Sequence, residues 1–313
     1  MPEHFVTLFD STFLPQAIAL HASMRRHVPS FCLWALCVDD EAHELLTRLA
    51  LANCRPLKLS ALETPELLAV RPQRSRGEYC WTLTPFAPRF VFEAEPSARR
   101  VTYVDADLSF RKDPTPIFAE FEASGAHVLI TDHGYAPEYD QSATSGQFCV
   151  QYMTFERDAG EPVRKWWEER CIEWCFARFE DNKFGDQKYL DDWTYRFGKQ
   201  VHVLHQQEFA QAPWNATRYP YSQAIFFHFH GLRIAPRRRF DLGPIYALPT
   251  PTVHHVYEPY LEDLRAAISM LQSLGFAARA QSKPIGWLKL LRRTVSGVYR
   301  QLWRFHQLNF RKY

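Results

Sequence analysis

Two aspartates one residue apart follow a run of strand-forming residues. Residues 101–104 read Val-Thr-Tyr-Val, and Asp105 and Asp107 come directly after them. Two carboxylates this close repel each other, and burying them is costly unless a cation or a proton lies between them. Mg²⁺ and Mn²⁺ bind carboxylate oxygens together with substrate phosphates. The pair therefore indicates a divalent-cation site at the end of a buried strand, with a solvated acidic turn as the ordinary alternative.

A second segment, residues 226–233, combines two histidines with a glycine and an arginine. In a strand, alternate residues share a face, so His228 and His230 are predicted to point the same way. Gly231 and Arg233 follow at once. A single histidine on an apolar face is more often part of the core, but two on one face suggest a metal ligand beside a phosphate-binding segment.

A third segment is Gly-Asp-Gln at residues 185–187. Asp191 and Asp192 lie behind it at helical spacing. Aspartate is a good N-cap residue, so Asp186 could simply begin a helix. Read by itself, this segment supports a structural and a catalytic interpretation equally.

Alternating strands and helices are predicted to position these segments. The first half of the chain shows strand patterns at residues 4–9, 31–38 and 101–104, and helix patterns at 15–27, 42–51 and 85–93. This alternation is typical of a parallel sheet covered by helices, in which ligands bind at the carboxyl ends of strands. Asp10, Asp39 and Asp105 all fall at such ends. Their convergence predicts one site at that edge of the sheet.

The second half of the chain continues the pattern. We predict strands at residues 127–131, 148–155, 201–204 and 224–230, an amphipathic helix over 161–178, and another helix after a loop at 184–193. In the first half, the polar residues 71–78 are predicted to form a loop. The predicted fold class is α/β.

These segments occur in an order that resembles the retaining GT-A glycosyltransferases of family 8. The order is a strand ending at Asp10, then Y-V-D-A-D, then D-Q-K-Y-L-D, then H-F-H-G, and it spans about residues 4–240. The resemblance implies a GT-A fold, which is Rossmann-like with a mixed, mainly parallel sheet and flanking helices, over residues 1–250. A helical C-terminal extension is expected over 251–313.

The resemblance also implies a reaction, a cofactor and a set of binding residues. We expect a nucleotide-diphosphate sugar as donor, with a UDP-sugar preferred, and a glycan or lipid-linked glycan as acceptor. By the same resemblance, the ligands of Mn²⁺ or Mg²⁺ are Asp105, Asp107 and His228. The residues implied in nucleotide-sugar binding are Phe9, Asp10, Ala106, Gly231 and Arg233.

Four further residues are candidates for the catalytic step. By resemblance, Asp186 and Gln187 lie beside the transferred sugar, while Asp132 and Gln151 are candidates for stabilising the cationic sugar or orienting the acceptor. Family members often carry an acceptor-side Asn in an F-N-x-G segment, but this chain reads Phe-Cys-Val-Gln at residues 148–151. The sugar contacts made by this segment therefore differ from the family pattern.

The type of reaction leaves alternatives open. No obvious nucleophile stands out, and the D-Q pair favours retention, whereas inversion would give Asp186 or Glu180 the role of general base. A sugar-phosphate nucleotidyltransferase would carry a Gly-rich loop after the first strand, and Asp-Ser-Thr-Phe at residues 10–13 contains no glycine. The remaining alternative is a non-catalytic GT-A-like protein that binds sugar or membrane. The intact set of Asp105, Asp107 and His228 argues against it.

Charge is distributed unevenly along the chain. The whole chain carries +2, but residues 283–313 hold eight basic and no acidic residues, so residues 1–282 carry −6. Apolar residues recur at helical spacing in this segment, which we call the basic tail. Two interpretations stand: a helix packed on the body, or an interfacial helix lying on an anionic membrane surface.

The sequence lacks the marks of a secreted or membrane-spanning protein. No apolar run reaches about 18 residues, no secretory signal is recognised, and the seven cysteines form no C-x-x-C pair. We therefore expect reduced thiols and a cytoplasmic location. The membrane interpretation of the basic tail would place the protein on the inner face of the cytoplasmic membrane. No nucleic-acid partner is expected.

Overall fold

The computed structural model describes residues 2–236, 239–243 and 245–281. The strands in these ranges are β1 (Glu3–Phe9), β2 (Phe31–Cys37), β3 (Cys54–Lys58), β4 (Arg100–Val104), β5 (Leu108–Phe110), β6 (Val128–Asp132), β7 (Phe148–Glu156), β8 (Val201–Val203), β9 (Ala210–Gln211), β10 (Phe226–His228), β11 (Arg233–Ala235) and β12 (Arg239–Asp241). The α-helices are α1 (Leu14–His27), α2 (Asp40–Leu49), α3 (Pro65–Val70), α4 (Arg76–Leu83), α5 (Phe86–Ala94), α6 (Thr115–Ser124), α7 (Ser142–Ser145), α8 (Glu161–Glu173), α9 (Trp193–Arg196), α10 (Thr250–Thr252) and α11 (Glu258–Ser273).

A seven-stranded sheet forms the centre of the described structure. Its strand order is β3-β2-β1-β4-β7-β6-β8. All neighbouring pairs are parallel except those made by β7, which runs antiparallel to both β4 and β6. The predicted α/β fold with a mixed, mainly parallel sheet and flanking helices is therefore confirmed.

Both faces of the central sheet are covered. β2 is buried along its whole length, and β1 is buried from His4 onward. Alternate residues enter different hydrophobic clusters: Phe5 and Leu33 on one face, Val6 and Trp34 on the other. Strands buried on both faces are nearly continuously apolar, which is why uninterrupted apolar runs correctly predicted these two strands.

The prediction of a loop over residues 71–78 is wrong for its second half, where a helix begins. A short 3₁₀ turn, Arg71–Gln73, is followed by α4, which begins at Arg76. Ser75 and Glu78 form a capping box, in which each side chain accepts a hydrogen bond from the other residue's backbone N–H. The spacing S-x-x-E was visible in the sequence and would have predicted this helix start.

The helix predicted over residues 161–178 is too long. α8 ends at Glu173 because Trp174 adopts an extended backbone, with φ −154°, and both Trp174 and Cys175 are buried. Part of the loop predicted at residues 184–193 forms a 3₁₀ helix, Gln187–Asp192, and the helix after it is the single turn α9. Burial of apolar side chains, rather than helical periodicity, decides the path of this segment.

A small second sheet sets the geometry of the candidate site. β10 lies between β5, to which it is antiparallel, and β9, to which it is parallel. It is shorter than the strand predicted at residues 224–230 and ends at His228, which pairs with Leu108 of β5. Asp105 and Asp107 connect β4 of the central sheet with β5 of the small one. Strand pairing therefore brings His228 next to the two aspartates.

The last helix of the described residues, α11, packs against α1 and against aromatic residues around β10. Tyr260 stacks on Phe229 with ring centroids 3.6 Å apart, and Tyr257 meets Phe227 and Phe229 edge-on. The described part of the expected extension over 251–313 thus shares a core with the rest of the chain. The basic tail, predicted as an amphipathic helix, lies outside the described residues.

Among the helices of the described ranges, none combines the length and the apolar character that crossing a membrane requires.

Candidate active site

Asp105, Asp107 and His228 converge at the carboxyl end of β4. One ligand atom from each lies within 4.8 Å of the others. The Nε2 atom of His228 is 3.1 Å from Oδ1 of Asp107 and 3.6 Å from Oδ2 of Asp105. The structure therefore brings together the three residues predicted as metal ligands, and we call them the acidic triad.

Gln151 fixes the orientation of the His228 ring. The Nδ1–H of His228 donates a hydrogen bond of 2.9 Å to Oε1 of Gln151, so the ring presents Nε2 to the two carboxylates. Histidines that bind metals usually donate their second ring N–H to such a partner, which fixes the tautomer. Gln151 is fully buried on the neighbouring strand β7. Gln151 was predicted to stabilise the sugar or to orient the acceptor, and in this structure it contacts the metal-ligand candidate His228.

Tyr103 holds the other side of the acidic triad. Its hydroxyl donates a hydrogen bond of 2.9 Å to Oδ1 of Asp105, and the backbone N–H of Asp105 donates to the carbonyl of Gln151 at 3.1 Å. Sequence reasoning missed Tyr103. The available signal was its position two residues before Asp105, on the same face of the strand.

The electrostatics of the acidic triad suit a divalent cation. Burial raises the pKa of the Asp105 carboxyl, and the charge of Asp107 raises it further. Burial also acts on Asp107 and His228, but their mutual attraction outweighs it, so the pKa of Asp107 is lowered and that of His228 is raised well above its ordinary value. Two carboxylate oxygens and one imidazole nitrogen in a buried place form a donor set that Mn²⁺ or Mg²⁺ fits.

His230 lies beside His228 but is not part of the acidic triad. The two rings are 5.8 Å apart between centroids. Desolvation and the neighbouring His228 lower the pKa of His230 to about 4, so it is neutral at pH 7. The chain leaves the strand after His228, which is why the two histidines do not both face the aspartates as their spacing had predicted.

Asp186 is a buried carboxyl close to the acidic triad. Burial raises its pKa to about 7, and the charge of Asp105 adds to the effect, while a hydrogen bond with Thr84 opposes it. Its Oδ2 atom is buried and has no hydrogen-bond partner among the described residues. The indole N–H of Trp167 donates to the Asp186 carbonyl at 2.8 Å and holds the backbone in place. Asp186 is thus positioned by the core, and one of its carboxylate oxygens has no hydrogen-bond partner among the described residues.

Gln187 and Asp132 belong to a network of loops. The amide of Gln187 donates to the carbonyl of Ser145 at 2.5 Å. Asp132 accepts from the backbone N–H of Gly134 at 2.7 Å and from the Gln147 side chain at 3.0 Å, so both of its oxygens are engaged. The roles of Gln187 and Asp132 beside the sugar stay predictions.

The predicted nucleotide-binding residues divide into buried and accessible ones. Phe9 and Ala106 are 3% and 7% exposed and pack in one hydrophobic cluster, so a ligand would meet mainly their backbone. Asp10 forms an ion pair with Arg76, with 2.5 Å between Oδ2 and Nε, and the same guanidinium contacts Asp39. Of the predicted convergence of Asp10, Asp39 and Asp105, the structure joins Asp10 and Asp39 through one guanidinium. Arg76, which was assigned to a loop, is a second residue that sequence reasoning missed.

Gly231 and Arg233 follow the acidic triad in the chain. Gly231 has φ +82°, and the position that a Cβ would take there is open, so a ligand could approach the backbone closely. One N–H of the Arg233 guanidinium donates to the Leu232 carbonyl at 2.7 Å, and its positive charge lowers the pKa of Asp107. Arg233 is thus near the acidic triad, where a phosphate group could also be bound.

This arrangement of strands and helices is the GT-A fold. The galactosyltransferase LgtC, solved in complex with donor and acceptor sugar analogs, matches with a TM-score of 0.50 at 14% identity, over 91% of this chain and 98% of LgtC. The glycosyltransferase GlyE of Streptococcus pneumoniae TIGR4, in its apo form, matches with a TM-score of 0.50 at 15% identity, over 90% of this chain and 66% of GlyE. At these identities the likeness concerns the fold.

Sequence comparison identifies a closer relationship. No model of a known protein family matches the chain. It aligns over 290 residues, at 31% identity, with the uncharacterized protein YfnD of Bacillus subtilis (strain 168), covering 86% of this chain and 91% of YfnD. The chain therefore belongs to the protein family of YfnD.

Proposed function

We propose that this protein is a metal-dependent glycosyltransferase. It transfers a sugar from a nucleotide-diphosphate sugar to a glycan or lipid-linked acceptor. The donor that we propose is a UDP-sugar. The observation that carries the proposal is the acidic triad at the carboxyl end of β4, with Nε2 of His228 directed at Asp105 and Asp107. The likeness to LgtC, a galactosyltransferase that was solved with donor and acceptor sugar analogs, supports the class of substrate.

The leaving diphosphate is the group that needs most stabilisation. Mn²⁺ or Mg²⁺ held by Asp105, Asp107 and His228 would supply positive charge against the negative charge that develops there. Arg233 adds a guanidinium from the chain itself, close to Asp107. The open left-handed turn at Gly231 lets phosphate oxygens approach the backbone.

Asp186 is our candidate for stabilising the sugar. The bond between C1 of the sugar and the phosphate oxygen breaks, and the acceptor oxygen bonds to C1 on the same face. The acceptor proton passes to the departing diphosphate. The unpartnered carboxylate oxygen of Asp186 is our candidate for facing the cationic C1. Gln187 and Asp132 are candidates for contacts beside the sugar and the acceptor, whereas the fully buried Gln151 is assigned to orienting His228.

A panel of nucleotide sugars tests the proposal and names the donor. We expect release of nucleoside diphosphate with Mn²⁺ from at least one UDP-sugar, and loss of release with chelator or in Asp107→Asn. Asp113→Asn is the matched control, because Asp113 is an exposed aspartate shortly after the acidic pair, and its side chain accepts a hydrogen bond from the Thr115 backbone N–H. Full activity of Asp107→Asn would overturn the metal role.

The alternative is a non-catalytic protein with the same fold. It would bind a nucleotide sugar or UDP in calorimetry without hydrolysing or transferring it. Turnover that disappears in Asp107→Asn excludes this alternative, whereas tight binding without turnover by the wild type would favour it.

We also propose, from the sequence alone, that the basic tail attaches the protein to an anionic membrane surface. An interfacial helix gains affinity from both its apolar face and its charges. A lipid-linked acceptor is confined to the same surface, so attachment would raise the acceptor concentration near the acidic triad.

A further inference from the structure

A second group of metal-ligating residues lies away from the acidic triad. Glu120 is on α6, His202 is on β8, and His205 follows β8 by two residues. One ligand atom from each lies within 4.8 Å of the others. β8 is the edge strand of the central sheet, and β7 and β6 separate it from β4. This group therefore has no part in the proposed glycosyl transfer.

The three side chains are held close together by the backbone. Nε2 of His202 is 2.7 Å from Oε1 of Glu120, and Nδ1 of His205 is 3.7 Å from the same oxygen. The backbone N–H of His205 also donates to this oxygen at 2.7 Å. The two imidazole rings meet nearly edge-on, with centroids 4.7 Å apart. The chain direction after β8 is thus tied to the Glu120 carboxylate.

One oxygen of Glu120 has no partner. Oε2 is buried and makes no hydrogen bond with any described residue. The Glu120 and His202 side chains are 14% and 10% exposed, so water reaches them poorly, while His205 is 78% exposed and free to turn its ring. A buried carboxylate oxygen without a partner is costly, and most such atoms in folded proteins are bonded. A cation bound at the Glu120 carboxylate would offset this cost.

We propose that Glu120, His202 and His205 form a zinc site. Two imidazole nitrogens and one carboxylate oxygen are common ligands of Zn²⁺, with water in the fourth position. Zinc bonds of about 2.0–2.1 Å place tetrahedral ligand atoms about 3.3 Å apart. The observed distances of 2.7 and 3.7 Å to Glu120 lie on either side of that value, and the three ligand atoms lie within 4.8 Å of one another, so the exposed His205 ring would have to turn to close the site.

The site has two physical consequences. A zinc ion bound there joins the edge strand β8 to α6 and stabilises only the folded chain, so it raises the unfolding temperature. Its binding requires neutral imidazoles, and the ring nitrogens that bind zinc must lose their protons. Zinc affinity therefore falls as the pH is lowered, because protons compete with zinc for these nitrogens.

Zinc titration against a chromophoric chelator tests the site. The full chain carrying Asp105→Asn and Asp107→Asn removes the acidic triad as a competing site. We expect this protein to bind one zinc ion, and His205→Ala or Glu120→Gln in the same background to bind it at least about tenfold more weakly, since even outer-shell partners of metals are worth 10–100-fold.

His127→Ala is the matched control. His127 also pairs with a glutamate, at 2.9 Å between Nδ1 and Oε2 of Glu156, but belongs to neither ligand group found among the described residues. Its loss should leave zinc affinity unchanged. Co²⁺ in place of zinc should give the visible absorption of a tetrahedral ion in the parent and the His127→Ala variant, and lose it in His205→Ala. Equal zinc affinity and equal Co²⁺ spectra in the parent and His205→Ala would overturn the proposal.

Discussion

Asp186→Asn should remove a defined part of the pH dependence of folding stability. Burial raises the pKa of Asp186 from 3.8 to about 7 in the folded chain, whereas an unfolded aspartate titrates at about 3.9. Between about pH 4 and pH 7 the folded state holds this proton and the unfolded state releases it. The free energy of unfolding therefore falls as the pH rises through this window.

The size of the effect follows from the width of the window. Each pH unit of it contributes at most about 1.4 kcal/mol, so about three units contribute at most about 4 kcal/mol. Asparagine has the same shape, carries no charge, and retains a carbonyl oxygen for the hydrogen bond with Thr84. The variant should match the wild type near pH 4 and be more stable by up to about 4 kcal/mol at pH 8.

Urea unfolding with chelator present, at intervals from pH 4 to pH 8, measures this difference. Contributions from the histidines are common to both proteins and cancel in the comparison. Asp113→Asn, at an exposed carboxyl, controls for the substitution itself. A stability difference between wild type and Asp186→Asn that does not change with pH would refute the reasoning.

Three further predictions concern the metal, the stereochemistry and the basic tail. Gln151→Leu should weaken Mn²⁺ binding 10–100-fold by paramagnetic resonance titration, because His228 loses its hydrogen-bond partner. The folding stability of this variant should change by no more than about 1 kcal/mol, because the unpartnered Nε2 atom of Gln151 is removed too. Unchanged Mn²⁺ affinity would contradict the role of Gln151 in orienting His228. An α-linked donor should give an α-linked product by NMR, and a β-linked product would make Asp186 the general base in preference to Glu180, which is exposed and paired with Arg178. Removing residues 283–313 should abolish salt-sensitive flotation with anionic vesicles, to which each basic residue near the surface adds about 1 kcal/mol; equal, weak flotation of both proteins would make the tail structural.

The parts of the fold that local patterns determine were predictable from sequence. β1 and β2 are buried on both faces, so their apolar runs were clear. The aspartates at 105 and 107 were placed correctly because β4 ends at Val104, before the first of them. The capping box at Ser75 and Glu78 was equally local, and it was overlooked although the residues were in view.

Long-range contacts were not predictable in this way. The bond between His228 and Gln151 joins residues 77 positions apart, and Arg76 reaches Asp10 and Asp39 across separate strands. Such contacts depend on the order of strands and on side-chain packing, which periodicity does not encode. The early end of α8 has the same origin, since burial of Trp174 overrides helical spacing. The resemblance in motif order supplied the expected metal ligands, but not the partners that orient them.

The position of a bound metal tests the central claim most directly. Anomalous diffraction from crystals grown with Mn²⁺ and UDP, measured at a wavelength where manganese scatters anomalously, locates the ion directly. We predict one anomalous peak bonded to Asp105, Asp107 and Nε2 of His228, with the diphosphate on its open side towards Gly231 and Arg233. A nucleotide bound elsewhere in the molecule, or an ordered diphosphate with no metal at the acidic triad, would contradict the proposed glycosyltransferase site.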